Sequence, residues 1–398
     1  MRFDRTLLQK VFGGLVLLML IVAPTQWSLR LPGGMHLTLA DLLLAAALPL
    51  GLLTGLRPWR LPFVHALFLG LAALAVFGAG NRTEGIKEWI QLALYFGAGT
   101  LVAGTALRQK GRRGLKLGVY AFLGTGALIV ALAAIQYWHG PQGDPLTVRG
   151  SFGNRNVLGG YLALLLPIAF GLFLHATSWR MRLFTALLFL VGLSVCLSGP
   201  ALLAIALVCV ALAALRGPGW LIETGLVLMV GYTLLLPRLP RANEYETFAS
   251  MALYDEGGMP TRRYPEWQAA TMMTLEKPWR GYGLGSYQKR VGSFYGVVPN
   301  ATGPAEPDIQ NLYLVLAATA GIPTCLAFLA LLLQGAAGSV RAAIRVDRSA
   351  PIPGLDAGIA AAVAAFALTA VWHPLLVRGI GLPLAMILAA AHYSRERP

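Results

Sequence analysis

Apolar runs of about twenty residues recur along the whole chain, and short polar segments separate them. An α-helix of that length crosses the hydrocarbon layer of a bilayer, so each run predicts one transmembrane helix. This criterion gives about twelve spans, near residues 8–24, 36–56, 61–79, 86–107, 114–138, 156–175, 182–197, 200–215, 219–236, 309–336, 353–372 and 376–392. The stretch 182–215 is too long for one span. Ser198-Gly199-Pro200 predicts its break, because proline cannot continue the helical hydrogen-bond ladder.

One long polar segment interrupts this pattern, from Pro237 to Asp308. It contains eight of the seventeen Asp and Glu residues. The predicted fold class is therefore an all-α polytopic membrane protein with one large extracytoplasmic loop that carries short helices. Residues 1–236 would form transmembrane helices 1–9, residues 237–308 the loop, and residues 309–398 helices 10–12 with a short cytoplasmic tail.

The charge distribution predicts the orientation of these helices. Charged residues make up 12% of the chain, against about 25% in soluble domains. In a membrane protein Lys and Arg in short loops mark the cytoplasmic side, so the net charge of +15 does not indicate a nucleic-acid partner. Alternate short loops and termini hold eighteen and six Lys and Arg residues. This asymmetry predicts that both termini are cytoplasmic and that the 237–308 loop lies on the opposite side.

Ionisable residues inside the predicted spans lie near the span ends and not at mid-depth. Those near the predicted outer ends are Asp41, Glu84, Lys87 and Glu88, and those near the inner ends are Glu223 and Asp356. Ion-coupled transporters usually place such groups at mid-depth. The pattern therefore disfavours a solute transporter, which stays open as the alternative function.

A first candidate motif is the turn from Arg149 to Asn156, which leads directly into a predicted membrane helix. Asn154 or Asn156 would cap that helix. Arg149 and Arg155, beside exposed backbone amides, would hold an anionic group. The alternative is an ordinary capped loop, since most Gly/Asn clusters are turns.

A second candidate motif lies in the polar segment. Arg262 and Arg263 precede an aromatic run, and the planar guanidinium of arginine matches phosphate oxygens. Aromatic and basic side chains that would bind lipid or sugar follow them: Tyr264, Trp267, Trp279 and Arg280. The alternative is that the paired arginines anchor lipid headgroups. Gly281, Gly283 and Gly285 lack a preceding strand and a following Lys-Ser pair, so they do not indicate a nucleotide site.

A third candidate motif opens the tenth predicted span. Asp308 is a predicted helix N-cap, and Gln310 and Asn311 follow in the first turn at the membrane surface. Capping accounts for Asp308 alone. A polar Gln-Asn pair at the start of a membrane helix suggests contact with a substrate.

Together these motifs resemble the O-antigen ligase and O-antigen polymerase family. Residues 150–156 with Tyr161-Leu162 are similar to its G-x-F-x-N-x-N … Y-L signature. Arg263 and Trp267, followed by Pro278, Gly281 and Gly283, are similar to its R-x-x-x-W … P-x-x-G-x-G signature. Residues 310–314 with Gly321-Ile322 are similar to its H-N-x-Y-L … G-I helix. The resemblance covers roughly 149–335 in the family order, and the N-terminal third adds only topology.

The resemblance implies a glycosyltransferase in the bacterial inner membrane. Such an enzyme moves a glycan from a polyprenyl-diphosphate carrier to an acceptor hydroxyl on a glycan or lipid-glycan, without a metal or other cofactor. Arg263 and Gln310 would then be catalytic. Arginines at the membrane surface would stabilise the departing diphosphate, and the acceptor hydroxyl would need a base within hydrogen-bond reach.

Two departures from the family pattern leave the base open. The family histidine is Gln310 here, and the arginine of its S-R-G helix falls on Gly199. Candidate replacement bases near the predicted outer face are His139, His373, Asp308 and Glu306. Alternatively Gln310 positions the hydroxyl in a dissociative reaction, or the chain is a divergent or catalytically silent relative that binds the glycan lipid.

Overall fold

A computed structural model of the chain describes residues 5–25, 28–30, 36–54, 59–139, 148–230, 263–295, 311–344, 352 and 354–395. Of the described residues, 82% are helical, so the predicted all-α class is confirmed. One short antiparallel pair of strands, Ser28–Arg30 (β1) and His36–Thr38 (β2), precedes the second helix. Ser28 pairs with Thr38 in this register.

Fifteen α-helices lie within the described residues, numbered here in chain order. They are α1 Arg5–Val22, α2 Leu39–Leu53, α3 Phe63–Val76, α4 Arg82–Leu92, α5 Thr100–His139, α6 Arg155–His175, α7 Trp179–Ser194, α8 Gly199–Arg216, α9 Pro218–Val230, α10 Arg263–Glu276, α11 Tyr287–Tyr295, α12 Leu312–Ala320, α13 Ile322–Ile344, α14 Leu355–Thr369 and α15 Gly381–Arg395. A π-helical segment, Ala93–Gly99, joins α4 to α5.

The apolar helices indicate a protein embedded in a membrane. Within the described part of the chain, five helical stretches are long and apolar enough to span one: Arg5–Thr25, Arg82–His139, Arg155–His175, Gly199–Arg216 and Ile322–Arg341. Large apolar side chains also point outward on these stretches; Leu128, Leu215 and Leu333 are 71%, 85% and 67% exposed. Such side chains are favourable in contact with lipid. The number of spans and their orientation stay predictions.

Helix α5 contains a chain reversal at Gly111, where φ is +53° and ψ is −134°. A Cβ built on Gly114 would lie 3.6 Å from the Ala106 carbonyl oxygen, an approach that a straight helix does not allow. Glycine adopts such a positive φ without the steric cost of a side chain. The reversal falls in the basic stretch between the predicted spans 86–107 and 114–138.

Helix α6 forms the centre of the bundle. Tyr161, Leu164 and Leu166 on it are completely buried. It packs against α14 through small residues, because a Cβ on Gly171 would lie 2.7 Å from the Gly354 carbonyl oxygen and 2.8 Å from the Gly358 Cα. Small residues of this kind let two membrane helices approach backbone to backbone.

Two breaks in the helical pattern place residues at the candidate site. The break between α7 and α8 lies where Ser198-Gly199-Pro200 predicted it. The predicted span 309–336, in contrast, is divided into α12 and α13 at Gly321, where φ is +86°. The Ile322 amide donates to the Pro278 carbonyl oxygen at 2.8 Å instead of continuing the helix.

The turns between helices lie at two opposite ends of the bundle, as contacts between them show. At one end Trp59 contacts the Arg108 guanidinium at 5.9 Å and the His392 ring at 5.3 Å. At the other end the Ser151 hydroxyl donates to the Pro24 carbonyl oxygen at 2.7 Å. The loop between α10 and α11 and the start of α12 belong to the second end, which holds the candidate site.

Candidate functional site

A cavity of 570 Å³ lies at this second end of the bundle. Its volume is within the range of about 300–1,000 Å³ that small-molecule sites occupy. Polar side chains on its wall are Glu88, Gln91, Asn154, Asn156, Thr319, His373 and Arg378. Apolar residues on its wall are Leu92, Val157, Leu284, Leu312, Val315, Leu316, Pro374, Leu375, Leu376 and Val377. The cavity is therefore polar and apolar at once.

The turn before α6 forms one wall. The Gln136 side chain holds this turn through hydrogen bonds to its backbone. The Gln136 amide oxygen accepts from the backbone amides of Arg149 and Gly150, at 3.0 and 2.7 Å. Its amide nitrogen donates to the Gly150 carbonyl oxygen at 2.8 Å. Asn154 then caps α6, accepting from the Val157 amide at 2.9 Å. This fixes where Asn154 and Asn156 lie.

Helix α12 forms a second wall. Asn311 is buried and caps the helix, because its side-chain oxygen accepts from the Leu314 amide at 3.0 Å. The Leu312 amide donates to the Ala370 carbonyl oxygen at 2.9 Å, and the Tyr313 hydroxyl donates to the Ala367 carbonyl oxygen at 2.8 Å. These bonds tie α12 to the end of α14. The Asn311 side chain thus has a structural role and is not on the cavity wall.

The glycine-rich segment 281–285 bonds directly to the Gly321 break. The Tyr282 amide donates to the Ala318 carbonyl oxygen at 2.9 Å, and the Gly283 amide donates to the Thr319 carbonyl oxygen at 2.8 Å. Gly281 and Gly283 have φ of +63° and +97°. A Cβ on Gly281 would lie 2.3 Å from the Thr319 carbonyl carbon. Close backbone approach therefore requires glycine here.

His373 lies at the junction of three elements. Its Nε2 is hydrogen-bonded to the Ser198 Oγ at 3.1 Å, and both side chains are only 1% exposed. Ser198 precedes α8 but its side chain makes no cap hydrogen bond. Gly159 of α6 leaves room for it, because a Cβ there would lie 2.6 Å from the Ser198 Cβ. The sequence Ser198-Gly199-Pro200 thus brings a hydroxyl to the imidazole.

Helix α4 and the turn between α14 and α15 contribute the charged part of the wall. The Glu88 side chain accepts a hydrogen bond from the Gly285 backbone amide. Arg378 hydrogen-bonds to the Tyr95 hydroxyl. The Tyr95 ring packs on Gly381, where a Cβ would lie 2.5 Å from the ring. Among the described residues on the wall, Glu88 is the only carboxylate and Arg378 the only Lys or Arg.

Helices α10 and α11 form a small cluster with α12 beside the cavity. Ala269, Ala270 and Met273 of α10 are fully buried there. The Trp267 ring packs against this cluster. The Lys277 ammonium lies 4.2 Å from the centre of the Tyr282 ring. Burial and a hydrogen bond to Glu276 raise the pKa of Tyr282 to about 12, so its phenol stays neutral at physiological pH.

The predicted site residues divide into three groups. Asn154, Asn156 and His373 are together on the cavity wall. Not on that wall are the exposed Arg149, Arg280, His139 and Trp279, the part-buried Arg155 and Trp267, and the buried Asn311. The side chains of Arg263 and Tyr264, and the whole of Arg262, Gln310, Asp308 and Glu306, lie outside the described residues.

Sequence reasoning did not assign a role to four residues of this site: Glu88, Gln91, Ser198 and Arg378. Of these four, Glu88 could have been suspected from the sequence, because it is an ionisable residue near a predicted outer span end. No sequence spacing links these residues, because tertiary packing brings them together.

The arrangement can bind an amphipathic substrate and act on it with acid–base groups. It offers a guanidinium, a carboxylate, an imidazole and three amides, next to a row of leucines. Within the described residues no group of three His, Cys, Asp or Glu side chains is placed to hold a metal ion.

Comparison with models of known protein families and with curated protein sequences finds no match.

Proposed function

We propose that this protein is a membrane glycosyltransferase that moves a glycan from a polyprenyl-diphosphate carrier to an acceptor hydroxyl. The observation that carries the proposal is the cavity at the end of the bundle, where Asn154, Asn156 and His373 share a wall with Leu312 and Leu316. Its polar groups suit a sugar and a diphosphate, and its apolar groups suit the first isoprene units of the carrier.

The reaction needs a group that accepts the proton of the acceptor hydroxyl. The bond from the anomeric carbon to the diphosphate oxygen breaks, and its electron pair leaves with the diphosphate. The acceptor oxygen bonds to the same carbon and gives up its proton. His373 takes this role, because it borders the cavity and the other candidate base that the structure describes, His139, does not. The hydrogen bond between Nε2 and the Ser198 hydroxyl would orient the ring, and the imidazole would take the proton.

The departing diphosphate needs positive charge. By the family resemblance Arg263, with Arg262, supplies it, and Gln310 orients a substrate beside Asn311. The packing of α10 against α12 supports this assignment, because Arg263 begins α10 and α12 borders the cavity. The proposed reaction takes place in a bacterial cell envelope, with a glycan or lipid-glycan as the acceptor. The proposal covers both the transfer of one glycan and repeated transfer that builds a polymer.

The filled centre of the bundle also supports a transferase over a transporter. Tyr161, Leu162 and Leu165 are completely buried, so α6 occupies the middle of the described helices with packed side chains. The described polar groups of the cavity lie at one end. A solute pathway would need polar groups through the bundle.

The experiment is reconstitution of purified protein in liposomes with a polyprenyl-diphosphate-linked oligosaccharide and an acceptor glycan lipid. Products are followed by gel and mass spectrometry. Arg263→Ala should abolish transfer, whereas Arg216→Ala, an exposed arginine at the opposite end, should retain it. Both variants must keep the wild-type melting temperature. Transfer by Arg263→Ala at the wild-type rate would remove the central role assigned to Arg263. Uptake of a solute by the same liposomes, without transfer, would favour the transporter.

A further inference from the structure

The cavity wall contains one arginine that neither the motifs nor the family resemblance assigns. Arg378 lies in the turn between α14 and α15, and its side chain is half-buried. Among the described Lys and Arg residues it is the one that borders the cavity. Its neighbours on the wall are the apolar Leu376 and Val377, so its charge lies beside apolar surface.

The Tyr95 hydroxyl orients this arginine. Tyr95 is buried in the π-helical segment Ala93–Gly99 and hydrogen-bonds to Arg378. A π-helical turn is rare and frequently marks a functional site, because it displaces one residue from the regular helical register. Here the Tyr95 ring packs on Gly381, which is the first residue of α15. The arginine is thereby fixed from two elements.

The chemistry of the wall selects the kind of ligand. A guanidinium presents five N–H donors in a planar fork that matches phosphate oxygens, and the Tyr95 hydroxyl interacts with one part of that fork. Glu88 is the described carboxylate of the same wall, and Asn154 and Asn156 are neutral. This combination suits a ligand in which a phosphate group joins a hydrocarbon chain to a sugar. The cation matches the phosphate, the apolar residues match the chain, and the amides match the sugar.

We propose that Arg378, held by Tyr95, binds the diphosphate of the polyprenyl carrier inside the cavity. This inference rests on the proposed function and adds a residue that holds the donor substrate, beside the Arg263 already proposed. Arg378 contacts the substrate directly, and Tyr95 is a positioning residue. Glu88 lies on the same wall and in its charged form repels the anion, so the diphosphate occupies the Arg378 side of the cavity.

Direct binding tests the assignment without relying on turnover. Purified protein in detergent is titrated with geranylgeranyl diphosphate, geranylgeraniol, inorganic pyrophosphate and phosphatidylglycerol. Wild-type protein should prefer the diphosphate lipid to all three others. Arg378→Gln should weaken that binding about ten- to hundredfold, the loss expected of a charge-assisted hydrogen-bond pair. Arg378→Lys should lose less, because it keeps the charge but not the fork.

Two further variants separate position from charge. Tyr95→Phe removes the hydroxyl and keeps the ring, so it should weaken diphosphate binding about three- to tenfold, as expected for one neutral hydrogen bond. Its affinity for geranylgeraniol and its melting temperature should stay unchanged, which a merely structural defect would not produce. Arg216→Ala removes one positive charge at the other end and should bind like wild type.

The outcomes distinguish this inference from the proposed function. Unchanged diphosphate affinity in Arg378→Gln overturns the role of Arg378 and leaves the transferase proposal standing. Equal binding of phosphatidylglycerol identifies a general headgroup site and also overturns it. Equal affinity of wild-type protein for geranylgeraniol and its diphosphate contradicts both proposals, because neither survives without phosphate recognition.

Discussion

The Ser198–His373 pair allows a sharp test of the proposed base. Replacing Ser198 with alanine removes one hydroxyl and leaves the buried imidazole without that hydrogen bond. Both side chains are 1% exposed, so water cannot readily replace the lost partner. The imidazole would then lose one of the contacts that orient it toward the acceptor.

The expected magnitudes follow from these contacts. A neutral hydrogen bond contributes about 0.5–1.5 kcal/mol, so Ser198→Ala should lower kcat by about three- to tenfold. A general base contributes about 10²–10⁴-fold, so His373→Gln should lower kcat by that larger factor. KM for the donor should change little in both variants, because neither residue is assigned to the diphosphate.

The assay is steady-state transfer by reconstituted protein, with Ser194→Ala as the matched control. Ser194 also makes one hydrogen bond, donating to the Leu190 carbonyl oxygen at 3.0 Å, but it is not on the cavity wall. The double variant of Ser198 and His373 should be no slower than His373→Gln alone, because serine acts through histidine. Independent, multiplicative losses, or equal rates for Ser198→Ala and Ser194→Ala, would refute this reasoning.

Two other predictions follow from the fold. Gly283→Ala should lower the melting temperature in detergent and reduce transfer, because its Cβ would lie 2.2 Å from the Ala79 Cα at a φ of +97°. Overpacking of this kind costs about 1–3 kcal/mol, whereas Gly292→Ala, which has open space, should have no such effect; equal melting temperatures would contradict the packing. For topology, Gly292→Cys should react with a membrane-impermeant maleimide in intact cells, and Arg216→Cys only after permeabilisation; the reverse pattern would invert the predicted orientation. The background should be low because the native cysteines are buried: Cys196, Cys209 and Cys325.

The parts of the fold that local chemistry determines could be predicted from the sequence. The break before Pro200 is an example, because proline lacks the amide that an interior helical position uses and is well accommodated in the first turn of a helix. The break at Gly321 could not be predicted in the same way. Glycine is tolerated within membrane helices, and this helix is interrupted because the Pro278 carbonyl oxygen, from a distant segment, takes the Ile322 amide.

The candidate site was predictable only in part, for the same reason. Asn154 precedes an apolar run, so its place at a helix start could be inferred from the sequence. Arg378 and Glu88 are 290 positions apart and share no motif. They share a wall because α15 packs on the π-helical segment beside Tyr95 and because Gly285 bonds to Glu88. Such proximity depends on the packed bundle.

The bonds between segment 281–283 and the end of α12 have a mechanical consequence. Tyr282 and Gly283 lie between α10 and α11, and their amides donate to the Ala318 and Thr319 carbonyl oxygens. These hydrogen bonds connect α10 and α11 to α12. A force applied to α10 would therefore be passed on to the helix that lines the cavity.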